Sequence, residues 1–436
     1  MTNAGSDKLT PLKRVIYAAT STLVFNLIAG CAPSAAMTAT LVQSASATPT
    51  PQPVSGAFVS GVYRNLFAEY LGKSDVEVQA KTEAAWQQLF YGDDSSQRVY
   101  YPVGDAMAYI EDIGNGDVRT EGMSYGMMIA VQLDKKEEFD RLWKWTKTYM
   151  YQSSGPYEGY FAWHCSTVGD QLDANPASDG EEWFVTALFF ASARWGNGEG
   201  IFDYQAQAQQ ILDTMLHKED QKSDLATNMF DAQTKQVVFV PKIGRDSSFT
   251  DPSYQLPAYY ELWARWASRD NSFWANAAQA SRAFFKKAAN PRTGLMPDYA
   301  NFDGTPYGSG DHKDFRFDAW RTLSNVAVDY AWFGNDPGQV ERSNRGLDFL
   351  ASEGIDSYAN QYTLDGHSLS SDHSTGLVAM AAVAALAADP EKGKPFVQAL
   401  WDAKTPSGRW RYYDGMLYLL AMLHVSGNFR IYTPTQ

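Results

Sequence analysis

Residues 374–388 read STGLVAMAAVAALAA, residues 182–193 read EWFVTALFFASA, and residues 415–425 read GMLYLLAMLHV. Each run is apolar all the way round a helical wheel, and a helix without a polar face has to be buried on every side. Between these runs lie helices of a different kind. Phe139, Leu142, Trp143 and Thr146 recur at helical spacing, as do Tyr204, Ala208, Ile211 and Met215, and Trp274, Ala277, Ser281 and Phe285; these are one-sided stripes. Ser74-Asp75-Val76-Glu77 has the form of a capping box opening a helix through Trp86 and Phe90. Pro337 after Asp336 and Pro390 after Asp389 mark further starts. Fully buried helices alternating with half-buried ones, in about six pairs from residue 60 onward, predict an all-α (α/α)6 barrel. Its six inner and six outer helices would form one domain over 58–436. An irregular helical domain or a solenoid would share the alternation. A second regularity favours the barrel: the buried helices open on polar or aromatic residues, namely Glu121, Asp179, Asp251 and Tyr254, Asp318, His373 and Asp414. In a closed ring of parallel inner helices those starts converge at one end, where unpaired helix N–H groups also gather.

The chain ahead of this body reads as an address. Lys8, Lys13 and Arg14 precede a mostly apolar stretch, Val15 to Ile28, too short to span a bilayer comfortably. It ends in Leu27-Ile28-Ala29-Gly30-Cys31. Small residues directly before a cysteine resemble a bacterial lipoprotein box, which implies a signal peptide over 1–30 and lipid on Cys31. Residues 31–57, rich in Ala, Ser, Thr and Pro, have too little apolar bulk to order themselves and read as a flexible tether. The protein would then be exported and lipid-anchored to a bacterial membrane, facing the periplasm or the exterior, with no other membrane contact.

The formal net charge of −14 would be repelled by phosphates, which argues against nucleic acid as a partner. The two cysteines are Cys31 and Cys165; with Cys31 taken by lipid, Cys165 has no partner and is a packing residue. Six histidines are scattered without HExxH or any Cys/His cluster at metal spacing, so no metal and no cofactor is expected. Many of the 13 Trp, 25 Tyr and 23 Phe must pack the core; a surplus in a cleft would suit sugars, since a flat ring covers the C–H face of a pyranose.

Three segments carry chemistry. RTEGMSYGMM at 119–128 sets Glu121 among apolar and aromatic neighbours; SDGEEW at 178–183 sets Asp179 at a helix start; FRFDAWR at 315–321 sets Asp318 between rings and two arginines. Glycoside hydrolysis needs two carboxyl groups in opposite states, one protonated and one ionised. Apolar surroundings penalise a charge, which suits Glu121 as the acid; a guanidinium, from Arg316 or Arg321, favours the ionised form, which suits Asp318 as the base. Taken singly, each carboxylate reads as an ordinary helix cap.

These segments closely resemble glycoside hydrolase family 8, and within it the reducing-end xylose-releasing exo-oligoxylanases. The likeness runs over roughly 60–433. It includes YRNLF at 63–67, RTEGMSYGMM, YFAW at 160–163, DGEEWFVTALFFASARWGNG at 179–198, DPSY at 251–254, FDAWR at 317–321 and RYYDGMLYLLAMLHVSGNFRIY at 411–432. It implies an (α/α)6 barrel that inverts the anomeric carbon, with Glu121 as general acid, Asp318 as general base and Asp179 holding the distorted sugar and the water. The substrate would be a β-1,4-xylo-oligosaccharide, shortened by one xylose from its reducing end. Trp163 is a candidate to stack on a sugar, or else packs the core. Tyr254 would hydrogen-bond near the base, and Phe317 and Arg321 flank Asp318 as substrate contacts or as supports. In the resembled enzymes a leucine-histidine-proline kink closes the cleft, its histidine binding the reducing-end hydroxyl. The match by position here is His373, with His367 in reserve; His373 lies within Asp372-His373-Ser374, a departure that implies a looser closure, and alternatively it only caps its helix. Endo-acting xylanases, cellulases, lichenases and chitosanases share the family and form the alternative. A non-catalytic sugar-binding lipoprotein would have no use for three carboxylates, and a uronic-acid lyase would need basic or Tyr/His catalysis.

Overall fold

The computed structural model describes residues 55–434. The leader, Cys31 and the tether up to residue 54 lie outside the described residues. The packed body begins earlier than expected. A Cβ on Gly56 would stand 2.2 Å from the carbonyl oxygen of Trp332, Ala57 is buried, and Phe58 stacks on Phe333 at 5.3 Å. Residues 56 and 57 therefore belong to the domain rather than to the tether, because only a glycine lets the two backbones approach so closely.

After two short helical turns, Ala57–Ser60 and Leu66–Leu71, twelve longer helices follow in six pairs. They are α1 (Asp75–Tyr91), α2 (Thr120–Gln132), α3 (Lys136–Trp145), α4 (Ser178–Trp195), α5 (Tyr204–His217), α6 (Pro257–Trp266), α7 (Asn271–Ala288), α8 (Arg321–Phe333), α9 (Gly338–Ser352), α10 (Thr375–Ala384), α11 (Pro390–Asp402) and α12 (Arg411–Val425). Helices α2, α4, α10 and α12 are buried nearly throughout and α8 and α6 over most of their length, whereas the odd-numbered ones bury a single stripe. Inner neighbours touch in order: α2 packs on α4, α6 on α8, α8 on α10, α10 on α12, and α12 on α2. Side chains join α4 to α6, with Trp263 Nε1 donating to Thr186 Oγ1 at 3.1 Å and Trp183 edge-on to Tyr259 at 5.2 Å. The ring closes, and each outer helix leans on an inner one, which makes the (α/α)6 barrel. The capping box at Ser74 and Glu77 is fully formed.

Local chemistry sets where the inner helices begin and end. Helix α10 stops at Ala384, short of the apolar run, and residues 385–387 tighten into i→i−3 bonds of 3.0–3.2 Å; Pro390 disfavours helical geometry in the residue before it. Ahead of α6, Asp251 caps a 3-10 turn, Pro252–Tyr254, and Pro257 then restarts the chain as a helix. A second 3-10 turn, Phe317–Trp320, runs straight into α8. Strand β1 (Tyr100–Val103) pairs with β2 (Met107–Ile110), while β3 (Val118–Arg119) pairs with β4 (His164–Cys165), which pairs with β5 (Gln171–Asp173). The β3–β4 ladder, with Arg119 opposite His164 and Thr120 N donating to the Trp163 carbonyl at 3.0 Å, fixes the entry to α2 beside Trp163. Cys165 is a buried free thiol.

Candidate active site

Glu121 in the first turn of α2, Asp179 in the first turn of α4 and Asp318 just ahead of α8 all meet one guanidinium. Arg321 Nη1 lies 3.1 Å from Glu121 Oε2 and 3.1 Å from Asp179 Oδ2, and it also donates to the Tyr125 hydroxyl. Arg321 Nη2 stands 3.1 Å from Asp318 Oδ1, an ion-pair distance without the alignment of a hydrogen bond. The Arg321 side chain is only 4% exposed and lies beneath the carboxylates rather than lining the cleft. The expectation that it touches substrate is therefore corrected to a support for all three acids. Arg316, the other candidate partner of Asp318, turns away to Asp311 at 2.9 Å.

Glu121 keeps about 15% of its side-chain surface. Burial pushes its pKa up to about 8; Arg321 opposes this, Asp318 and Asp179 add to it, and the Tyr412 hydroxyl, donating to Oε1 at 2.8 Å, opposes it again. Burial also raises Asp179, against the pull of Arg321 and of its own Gly180 N–H at 2.8 Å. Of the carboxyl groups at this helix start, only Asp179 lines the cleft. Glu181 and Glu182 fall on other sides of the helix at about 100° per residue. Glu181 accepts Phe161 N–H at 2.9 Å and Glu182 accepts the Tyr260 hydroxyl; burial raises both well above the carboxylate range, as structural acids.

Asp318 is different. It is 37% exposed, faces the cleft, and receives the Tyr413 hydroxyl at 3.3 Å. Phe317 just before it has φ of 35°, left-handed backbone that a bulky residue adopts only at a cost of order 1–3 kcal/mol. Its carbonyl, accepting Tyr413 Oη at 3.2 Å, helps to hold that turn and thus the aim of Asp318. One carboxyl kept protonated at neutral pH, and another open to water beside a guanidinium, can protonate a leaving oxygen and activate a water.

The cleft over these groups measures about 920 Å³, and Glu121, Asp179, Asp318, Trp163, Tyr254, Phe317 and His373 all line it. Trp163 is half-buried, with Arg119 over its ring at 5.5 Å, so it is a wall and not core. Tyr254 packs on Phe239 at 5.9 Å and lines the cleft. His373 does not cap its helix. Its Nδ1 meets the Tyr358 carbonyl at 2.8 Å, and the second amide of that turn, Gly376 N–H, goes instead to Asp414 Oδ1 at 3.0 Å. A backbone acceptor at Nδ1 implies a proton there, which leaves Nε2 free as an acceptor. Beyond His373 the cleft meets a second groove of about 890 Å³, which shares His373, Thr375, Trp410 and Asp414 with it.

Sequence reasoning passed over Tyr125, Tyr412, Tyr413 and Trp410. The two tyrosines of RYYDG sit two places and one place before Asp414, a carboxylate at a helix start, the one signal that could have marked them. Trp410 is 64% exposed at the cleft rim. Asp251, Asp298 and Asp318 also converge, with one oxygen from each within 4.8 Å of the others, the kind of trio that can hold a proton or a hard cation.

The model of glycosyl hydrolases family 8 matches residues 108–427. The reducing-end xylose-releasing exo-oligoxylanase Rex8A of Paenibacillus barcinonensis is 47% identical over 86% of this chain and 98% of its own. A family 8 enzyme of Teredinibacter turnerae, solved with xylobiose, superposes with a TM-score of 0.83 at 49% identity, over 87% of this chain and 100% of its own. A catalytic mutant xylanase of that organism, solved with xylohexaose, gives a TM-score of 0.83 at 48% identity over 87% and 100%.

Proposed function

This chain belongs to glycosyl hydrolase family 8, and we propose that it hydrolyses β-1,4-xylo-oligosaccharides with inversion, releasing xylose from the reducing end. Glu121 is the general acid, Asp318 the general base, and Asp179 steadies the sugar and the attacking water. The observation that carries this reading is the pairing of a burial-raised Glu121 with an open Asp318 across one arginine. In the reaction Asp318 takes a proton from water as its oxygen bonds to the anomeric carbon, and Glu121 gives its proton to the departing oxygen. Trp163 supports a stacked sugar, and Tyr254, in the same cleft wall as Asp318, is placed to hydrogen-bond near the water. His373, with Nε2 as acceptor, suits a reducing-end hydroxyl, and an unpaired imidazole would penalise a substrate that lacks it.

The test is product analysis on xylotriose and on its borohydride-reduced form, for wild type and His373→Ala, with proton NMR of the first product. The expected results are the α-anomer, xylose plus xylobiose, and poor cleavage of the reduced trimer by wild type only. An initial β-anomer would overturn the acid–base assignment.

One observation favours a second reading, endo-cleavage of xylan: the groove past His373 runs on from the cleft, next to Asp372 and Ser374 in place of leucine and proline. Equal hydrolysis of both trimers, or internal cutting of long xylan, would select it. Export and anchoring through a lipid on Cys31 is proposed from Leu27-Ile28-Ala29-Gly30-Cys31 alone; Cys31→Ser should abolish the lipid mass and release the protein from membranes.

A further inference from the structure

An inverting hydrolase ends each turnover with its base protonated and its acid ionised, so the base has to shed a proton before the next cycle. The cleft is a poor exit while sugar fills it. The wall behind Asp318 offers another. Asp298 and Asp251 stand behind it, their carboxylate oxygens within 4.8 Å of one another and of Asp318. Both are almost wholly buried, and each has one oxygen without a hydrogen-bond partner, Asp298 Oδ1 and Asp251 Oδ2. Asp251 Oδ1 takes Ser253 N–H at 2.7 Å. Asp298 Oδ2 meets His312 Nδ1 at 2.5 Å, and that imidazole is 51% exposed without being one of the residues that line the cleft.

The arrangement is braced. Asp298 N–H goes to the Asp314 carbonyl at 3.0 Å, Tyr299 N–H goes to the His312 carbonyl at 2.8 Å, and the Tyr299 ring lies flat on His312 at 4.1 Å and 3°. An orphan oxygen on a buried carboxyl is costly unless it carries a proton to donate, or accepts one. Two carboxylates this close in a dry wall do not both ionise. Burial first, then Asp318 and Asp251, push Asp298 up to about 10, against Arg316 and Arg321; burial and Asp318 push Asp251 up as well. Burial and Arg316 lower His312, while Asp318 and Asp311 oppose them, so its ring is mostly neutral and ready to accept.

We infer that Asp298 and His312 form the exit path by which Asp318 returns its proton to solvent, with Asp251 holding Asp298 in its protonated state. The proton on Asp318 passes to Asp298 Oδ1, directly or over one water, as the Oδ2 proton passes to His312 Nδ1. The imidazolium then releases its Nε2 proton to water on the outer surface. The Asp298 hydroxyl then turns from Oδ1 back to Oδ2 and the exposed ring returns to its Nε2–H tautomer through water, with no net change in proton count, and Glu121 takes its own proton from solvent. No oxidant, reductant or metal enters the balance. Asp298 and His312 are thus positioning residues that act through Asp318, and the inference rests on Asp318 being the base.

The experiment uses the full chain with xylotriose, comparing wild type, His312→Ala and Asp298→Asn. In His312→Ala, kcat should fall on the order of tenfold, short of the roughly 10²–10⁴-fold for a group that moves a proton in the bond-breaking step. KM and the melting midpoint should hold, the solvent deuterium effect on kcat should grow, and added imidazole should restore turnover. Asp298→Asn should lose turnover similarly but resist imidazole. Unchanged kcat and isotope effect in His312→Ala would overturn the exit path. So would a loss that imidazole does not restore, or one equivalent of a divalent cation found by metal analysis of the purified protein. Asp318→Asn with normal turnover would instead remove the base assignment, and it is measured separately.

Discussion

Two buried arginines in this barrel do opposite things. Arg282 on α7 spends every nitrogen in a matched set: Nε and Nη2 clamp Asp329 at 2.8 and 2.7 Å, and Nη1 takes Glu261 at 2.7 Å. Arg265 adds a second cation on Glu261 at 2.7 Å, and Gln339 completes Asp329 at 2.5 Å. Two cations meet two anions, and the set ties α6, α7, α8 and α9 together. Arg321, at the mouth of the same ring, has one Nη1 serving Glu121, Asp179 and Tyr125, while Nη2 has no aligned acceptor. One cation faces three acids, so neutrality is met by keeping protons on Glu121 and Asp179. The balanced set stabilises; the unbalanced set stores the proton that catalysis spends.

The comparison can be broken at either end. The largest effect is expected for Glu121→Gln and for Asp318→Asn: about 10²–10⁴-fold or more off kcat each, by initial rates on xylotriose. The melting midpoint should stay level or rise, since each change relieves an excess of acid around Arg321. Next comes Arg282→Met, which leaves Asp329 buried without its partner and should cost about 3–5 kcal/mol by urea unfolding, with kcat per folded molecule unchanged. A comparable loss of kcat would mean that the two arginines are not separable.

The smallest effect sharpens the contrast through pH. Glu121 has to be protonated to act, so activity should fall as pH rises through about 8. Tyr412→Phe deletes a hydroxyl that favours the ionised form, so the basic limb of the kcat profile should move to higher pH. The same group bears on stability. Its folded pKa lies above the ordinary carboxyl value of 4.5, so its contribution is full below about 4.5 and is lost as pH rises toward about 8. A basic limb that moves down in Tyr412→Phe would contradict the assignment of Glu121.

Much of this was legible because it is local. The alternation of all-apolar runs with one-sided stripes names the inner and outer rings, since burial on one face or on all faces is written in the residues of the helix itself. The polar starts of the buried helices located the site end. What was not legible depends on partners far apart in the chain. Tyr412 reaches Glu121 across 291 residues, and Arg321 reaches it across 200; no periodicity links such pairs. SDGEEW offered several carboxyl groups, and rotation about the helix, together with what packs on each side, left only Asp179 in the cleft.

The sequence by itself determined that this chain would be a ring of paired helices with acids at their starts, because periodicity, capping and proline positions act within a few residues. Only the tertiary structure decided that Arg321 underlies three of those acids, that Arg316 turns away to Asp311, and that Asp251 and Asp298 stand behind Asp318. Charge balance in a buried site is a property of the groups that closure of the ring brings within a few ångströms, and those groups lie on different helices.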